Sequence, residues 1–356
     1  MTLYLHPTAF IDAPFGFDGQ CARLAGGLTW FSAVEVIVRG QPPRLIPVTD
    51  LEAFRATLPD PARFDTLWRD LTAPRPPLSM GDRTLRFDTP SVMGILNVTP
   101  DSFSGGGLLD AEAAAAKASG IAADGAAIID IGAESTRPGA KPVWVQDEIS
   151  RLNPVLDRLS GLDLLISADT RKASVMRTAL DRGARIVNDV SALTFDDRAL
   201  ALVAEAGCPV VLMHHQGDPQ TMQKAPAYGS ALLDVFDWLE ARIAACETAG
   251  IPRANIIVDP GIGFGKTVRH NLELLNGLSI FHGLGCPILL GVSRKRFIGA
   301  VAKEEPVEAR LPGSLALAAL ALAQGIQLLR VHDVPETVQA IAVWRALRDA
   351  ALTPPV

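Results

Sequence analysis

Residues 91–356 predict an α/β protein of the (β/α)8 (TIM) barrel class, with a small N-terminal extension preceding it. Three observations predict this. Eight short apolar runs, VMGIL, AAIID, LLISAD, RIVND, PVVLM, NIIVD, PILLG and IQLLRV, recur along the stretch, and runs apolar on both faces suit parallel strands sandwiched between other layers. The segments between them have helix-like composition. Polar residues follow run after run, as they do where barrel strands open onto a shared mouth.

The intervening segments read as helices in turn. DAEAAAAKASGIAADG is rich in helix formers and ends at Gly125, DEISRLNPVLDRLS carries an amphipathic stripe with a bend expected at Pro154, and KASVMRTALDRG closes at Gly183. In ALLDVFDWLEARIAACETAG, residues Leu232, Phe236, Leu239 and Ile243 recur at three- and four-residue intervals and would face the strands. VRHNLELLNGLSIFHGLG, GSLALAALALAQG and VPETVQAIAVWRALRDA complete the set. A doubly wound open sheet is the competing architecture. Its nucleotide-binding form wants GxGxxG after the first strand, and GILNVTPDSFSGGG lacks that order.

Residues 1–90 differ in texture and read as an extension or small appended module to the barrel of 91–356. GGLTWFSAVEVIVRG contains a strand, LEAFRATL a short helix, and LTAPRPPLSMGDRT reads as a linker or irregular connection, with the boundary between about Pro74 and Pro90.

The 356 residues are 48% hydrophobic and 20% charged, with a net charge of -6. That is ample for a large core, and with no extended basic block it gives nucleic acid little to bind. The four cysteines, Cys21, Cys208, Cys246 and Cys286, lack metal-site spacing and read as buried thiols. The N-terminus has no charged-then-apolar signal pattern, and the richest apolar tract, Ser314–Ala323, falls short of the roughly 20 residues a spanning helix needs. A soluble, cytoplasmic protein without membrane partners is expected.

The run ends supply the candidate chemistry: Asn97 with Asp101 beyond it, Asp130 running into GAESTRPG, Asp169, Asn188 with Asp189, Met213 with His214 and His215, Asp259, Ser293 to Lys295, and Arg330 with His332 and Asp333. Two subsites are expected. Arg330 and His332 share one strand face, and with Lys295 they suit phosphate oxygens; Asn97 is placed to coordinate Mg2+ bridging the same oxygens. Asp169, Asn188 and Asp259 suit the donor and acceptor edges of a flat heterocycle. Each strand-end acid also has a structural reading, as a partner for neighbouring backbone.

At this point the chain resembles the dihydropteroate synthase family. GILNVTPDSFS, ESTRPGA, LISADTRK, IVNDVS, LMHHQGDPQTM, VDPGIGFGK, GVSRKRFIG and RVHDV match family segments in order from about Val92 to His332. The resemblance implies a pterin-binding TIM barrel that joins 6-hydroxymethyl-7,8-dihydropterin diphosphate to para-aminobenzoate, giving 7,8-dihydropteroate and diphosphate. It implies that Asp169, Asn188, Asp259 and Lys295 hold the pterin against Met213, and that Asn97, Arg330 and His332 contact diphosphate, with Mg2+ on Asn97. It further implies that Asp101, Phe103, Thr136 and Arg137 complete the para-aminobenzoate site from two loops, with Asp101, Arg137 and Lys295 as catalytic residues, and that the enzyme is a homodimer. A pterin-binding methyltransferase of related fold is the alternative.

Three positions depart from the common family pattern. Gly105 stands where an acid is frequent, Ala133 where glycine is frequent, and Arg296 where serine is frequent. Arg296 is expected to help anchor the para-aminobenzoate carboxylate, and Phe264 to support the region between the two substrates.

Overall fold

The computed structural model describes residues 2–99, 108–135, 142–217 and 221–353. The chain begins with strands β1 (Leu3–Ile11), β2 (Ala22–Arg23), β3 (Trp30–Val38) and β4 (Arg44–Pro47), followed by helices α1 (Leu51–Ala56) and α2 (Ala62–Thr72) and a hairpin of β5 (Leu78–Met80) and β6 (Arg83–Leu85). From there strands and helices alternate: β7 (Ser91–Asn97), α3 (Leu108–Ala123), β8 (Ile128–Gly132), α4 (Val145–Leu159), β9 (Ile166–Asp169), α5 (Ala173–Asp181), β10 (Ile186–Asp189), α6 (Ala199–Ala206) and β11 (Val210–Met213). The remainder is α7 (Ala231–Thr248), β12 (Ile256–Asp259), α8 (Val268–Asn276), β13 (Leu289–Leu290), α9 (Arg296–Val301), α10 (Leu311–Ala323), β14 (Leu328–Val331) and α11 (Val334–Leu352).

Strands β7 to β14 form one parallel sheet of eight in the order β12-β11-β10-β9-β8-β7-β14-β13. A parallel bridge between Val258 and Ile288 joins its two ends and closes the expected barrel. Helices cover the outside. On α3, buried Ala111, Ala114, Ala118 and Ile121 recur at three- and four-residue steps, and on α7, Phe236, Leu239 and Ile243 do the same. Pro154 sits inside α4 without ending it. The single helix expected over 268–285 is instead α8 followed, after Gly277, by a 3-10 turn over Leu278–Leu284. A side chain at Gly277 would meet Leu232 of α7 at 2.5 Å, so close helix packing sets the break.

The supposed linker is ordered structure. Leu78, Met80, Leu85 and Phe87 of the β5–β6 hairpin share a core with Met93, Ile128, Leu165, Ile186, Val211, Ile257, Leu289 and Leu328. These are early residues of the strands, so the hairpin stoppers the amino-terminal end of the barrel. Proline and glycine richness marked the turn and masked the short strands between.

The first strands pack as an antiparallel sheet, with β1 paired to β3 along nearly its whole length. This sheet and α2 sit against α7 and the 278–284 turn. Asp234, Asp237 and Glu240 lie three residues apart on α7. The Tyr4 hydroxyl donates to Asp237 at 2.8 Å, Arg39 pairs with Asp237 at 2.7 Å and Asp234 at 2.9 Å, and Arg63 pairs with Glu240. Arg75 is buried and donates to the carbonyls of His282 (2.7 Å), Ala73 (3.0 Å) and Cys286 (3.2 Å).

Phe236 is the centre of this contact: fully buried, it meets the Tyr4 ring edge-on at 5.5 Å and stacks on Phe281 at 6.3 Å. Truncation there leaves a cavity between the two parts of the chain. Phe236→Ala is expected to lower unfolding stability by about 3–5 kcal/mol in a denaturant titration; a change under about 1 kcal/mol would mean the N-terminal sheet contributes no shared core.

Candidate active site

The site grows out of strand register. Asn97 pairs with Gly132, Gly132 with Asp169, and Asp169 with Asn188, so the carboxyl ends of β7, β8, β9 and β10 place these positions side by side. Met213 and Asp259 are partners at the ends of β11 and β12. Gly132 is required here: a Cβ on it would crowd the Asp169 Cβ at 3.2 Å.

Arg330, on β14, ties the mouth together. Its Nε donates to Asp130 Oδ2 and its terminal nitrogen to Asp169 Oδ2, each at 2.6 Å. Asn188 Nδ2 donates to the same Asp130 oxygen at 2.9 Å. The two subsites expected from sequence are therefore one connected group, since the cation assigned to phosphate oxygens bridges to an acid assigned to the heterocycle. Burial pushes the Asp169 carboxyl up to about 7, the Arg330 cation opposing and Asp130 reinforcing that shift. Asp259 is also raised by burial, against a Gly261 N–H that donates to it at 2.7 Å and the nearby Lys295 and Lys266 cations.

Beyond the end of β13, the strand next to β14, Lys295 lies over the Phe264 ring, 4.1 Å from its centre, in cation–π contact. Met213 is buried at its strand end. His332 shares a 3.0 Å hydrogen bond between its Nδ1 and Ser293 Oγ, and that hydroxyl also accepts from the His332 backbone at 3.2 Å. Arg296 opens α9 and is exposed.

Other strand-end residues are structural. Asp189 accepts from the backbone of Ser191 (2.7 Å) and Leu193 (2.8 Å) and binds its own turn. Asp333 pairs with Arg294, whose φ of 55° and hydrogen bond to Ser314 fix the turn before α9. Asp101, Phe103, Gly105, Thr136 and Arg137 lie outside the described residues.

Sequence reasoning passed over two features. Asp130 was expected among the polar strand ends at the mouth but given no ligand or partner, although an acid within AAIIDIG signals a buried charge. The second is an ion cluster at the root of the segment after β8: Glu134 pairs with Arg171 (3.2 Å) and Lys172 (3.1 Å), Lys172 with Glu148 (2.5 Å), and Glu134 accepts from Val143 N–H at 2.9 Å. Glu134 and Val143 flank residues 136–141, so the cluster fixes both stems. Glu134 lies in ESTRPGA and Arg171 and Lys172 in LISADTRK, but Glu148 lies in neither, and the pairing between segments so far apart carries no local signal.

The magnesium expectation is corrected. Among the described residues no group of three or more His, Cys, Asp or Glu side chains is arranged to hold a metal ion. Asp130 and Asp169, the acids such a cation would draw on, are instead engaged by the Arg330 guanidinium. Among the described residues no helix is long and apolar enough to cross a membrane.

Residues 93–332 match the family model described as pterin binding enzyme. The dihydropteroate synthase of Escherichia coli (strain K12) is 46% identical over 269 residues, spanning 75% of this chain and 95% of the relative. The chain belongs to the dihydropteroate synthase family. The family enzyme from Haemophilus influenzae is 43% identical over 275 residues, covering 77% of this chain and 99% of the other. Among solved structures, the Yersinia pestis dihydropteroate synthase in a sulfonamide drug complex superposes with TM-score 0.73 at 42% identity, covering 77% of this chain and 100% of that one. The Xanthomonas albilineans dihydropteroate synthase with 4-aminobenzoic acid gives 0.72 at 46% identity, covering 77% and 98%. These are synthases, and they favour the family reading over the methyltransferase alternative.

A buried amine completes the wall. Lys266 Nζ donates to His214 Nδ1 at 2.9 Å and to the Phe264 carbonyl at 3.0 Å; burial brings Lys266 down to about 7. Gly261 permits this packing, since a Cβ there would fall 1.8 Å from the His214 carbonyl oxygen, and its φ of +69° suits glycine. Burial, with the Lys266 charge, lowers His214 to about 2. Because the unfolded chain binds this proton near pH 6.5 and the folded chain does not, the contribution is complete above about pH 6.5 and is lost as pH falls toward 2. The His214 ring resonances are accordingly expected to stay at their neutral positions from pH 8 to pH 4 in an NMR titration; a midpoint near 6 would contradict the buried pairing.

Proposed function

We propose that the barrel mouth is a two-substrate condensing site in which the chain acts as a dihydropteroate synthase, a transferase of folate biosynthesis. It joins 6-hydroxymethyl-7,8-dihydropterin diphosphate to para-aminobenzoate and releases 7,8-dihydropteroate and diphosphate. The observation that carries the reading is Arg330 held between Asp130 and Asp169, with Asn188 on the same carboxylate: a fixed cation beside groups that read a heterocycle edge. A relative from Xanthomonas albilineans has been solved with 7,8-dihydropteroate, at TM-score 0.69 and 44% identity, which supports the same product here.

In this reading Asp169 and Asp259 accept from the pterin amino group and ring N–H, Asn188 reads a further edge, and Met213 covers the ring. Lys295, set over Phe264, completes the pterin site. Arg330 and His332 receive the diphosphate, with Asn97 beside them. The C–O bond to the pterin methylene breaks, and diphosphate leaves with the electron pair as these groups neutralise its growing charge. The electron-rich pterin spreads the positive charge left behind. The arylamine nitrogen then forms the new C–N bond and sheds a proton, for which Asp101 is the acceptor. The family resemblance assigns Phe103, Thr136 and Arg137, which lie outside the described residues, to para-aminobenzoate, and exclusion of water protects the cation.

Residues 1–90 are an appended module that stoppers and flanks the barrel of 91–356. The enzyme works as a homodimer in the cytoplasm. Exposed Leu320 of α10 and Val343 and Leu347 of α11 support the dimer, and four free thiols support a reducing compartment.

Purified protein incubated with the two synthetic substrates is expected to form dihydropteroate and diphosphate in equal amounts; folded protein yielding neither would end the reading. Arg296→Ser is expected to raise the para-aminobenzoate KM several-fold with little change in kcat, and an unchanged KM would remove the anchoring role.

A further inference from the structure

Asp130 lies within β8 at 0% exposure, yet it touches neither solvent nor backbone partner. Its Oδ2 accepts from Arg330 Nε at 2.6 Å and from Asn188 Nδ2 at 2.9 Å, while Oδ1 is buried with no partner among the described residues. Ser167, its register partner on β9, has a hydroxyl equally buried and equally without a partner. Each such orphaned atom costs stability, about 1–3 kcal/mol, and a buried ion pair is weak evidence of a stabilising role. A barrel interior selected for stability alone would carry apolar side chains here. The arrangement instead points to Arg330.

We propose that Asp130 is a positioning residue for the condensation: its charge shares Arg330 with Asp169 and so keeps the Asp169 carboxylate accessible to the pterin. The inference rests on the proposed function. Arg330 presents Nε to Asp130 and a terminal nitrogen to Asp169, so two acids divide one cation. Asp259 and Lys295 act on this group at longer range. Remove the charge at 130, and Asp169 becomes the one carboxylate paired with Arg330 among the described residues. The pterin must then compete with an undivided ion pair, whereas an incoming diphosphate meets one acid fewer. The two ligands thus respond in opposite directions, which a loosened fold would not produce.

Asp130→Asn separates these outcomes, because an asparagine oxygen still accepts from Asn188 while the charge is lost. The probes are 6-hydroxymethyl-7,8-dihydropterin, without diphosphate, and inorganic pyrophosphate, each titrated calorimetrically into the full chain. The variant is expected to bind the pterin about tenfold more weakly and pyrophosphate as tightly as wild type or more tightly. Unchanged pterin affinity, or a parallel loss for both probes, overturns the role. Should the single variant not fold, Arg330→Gln and the double variant Asp130→Asn/Arg330→Gln carry the test. Equal pterin affinities in these two support action through Arg330, and a further loss in the double variant overturns it. A wild type that binds neither probe would instead sink the functional reading itself.

Discussion

The mouth of this barrel is organised around one guanidinium inside a ring of acids. Arg330 bonds to Asp130 and Asp169 at 2.6 Å, and Asn188 shares the Asp130 oxygen. Burying three such groups is unfavourable unless each is paired, and the pairing fixes their mutual geometry before any ligand arrives. Three strands, β8, β9 and β14, contribute the charges. Because the sheet is continuous and closed, the spacing of those charges is set by backbone register rather than by flexible loops.

The remainder of the chain serves that rigidity from below and from the sides. The β5–β6 hairpin fills the amino-terminal end of the barrel, so the interior apolar layer beneath the acids is sealed. The first sheet clamps α7 through its acidic face, and the same helix is capped by Ser230 directly after the segment that leads from His214. On the other side the Glu134–Lys172–Glu148 cluster pins both stems of the segment after β8. Charged groups inside the barrel and at its rim are thus anchored to separate structural supports.

Much of this was legible in the sequence because it repeats. Eight apolar runs and their polar ends announce a barrel, and Asp169, Asn188, Met213, Asp259 and Arg330 occupy strand ends as read. What escaped notice depends on distance in sequence. Arg330 and Asp130 are 200 positions apart, and no local pattern announces that one oxygen serves both Arg330 and Asn188. The β5–β6 strands are three residues each, too short for alternation to register among prolines. The magnesium expected on Asn97 is not supported among the described residues for a related reason: single residue types suggested a cation, but no metal-holding group is present among them, and Asp130 and Asp169 are paired with an arginine from the far end of the chain.

If one shared guanidinium serves both halves of the pterin diphosphate, its removal must separate them. Turnover and binding measured together on Arg330→Met test this most directly. The account predicts turnover from the two substrates reduced by about a hundredfold or more, pyrophosphate binding lost, and binding of the pterin without diphosphate much less affected than that of pyrophosphate. Turnover close to wild type, with pyrophosphate binding intact, would contradict it.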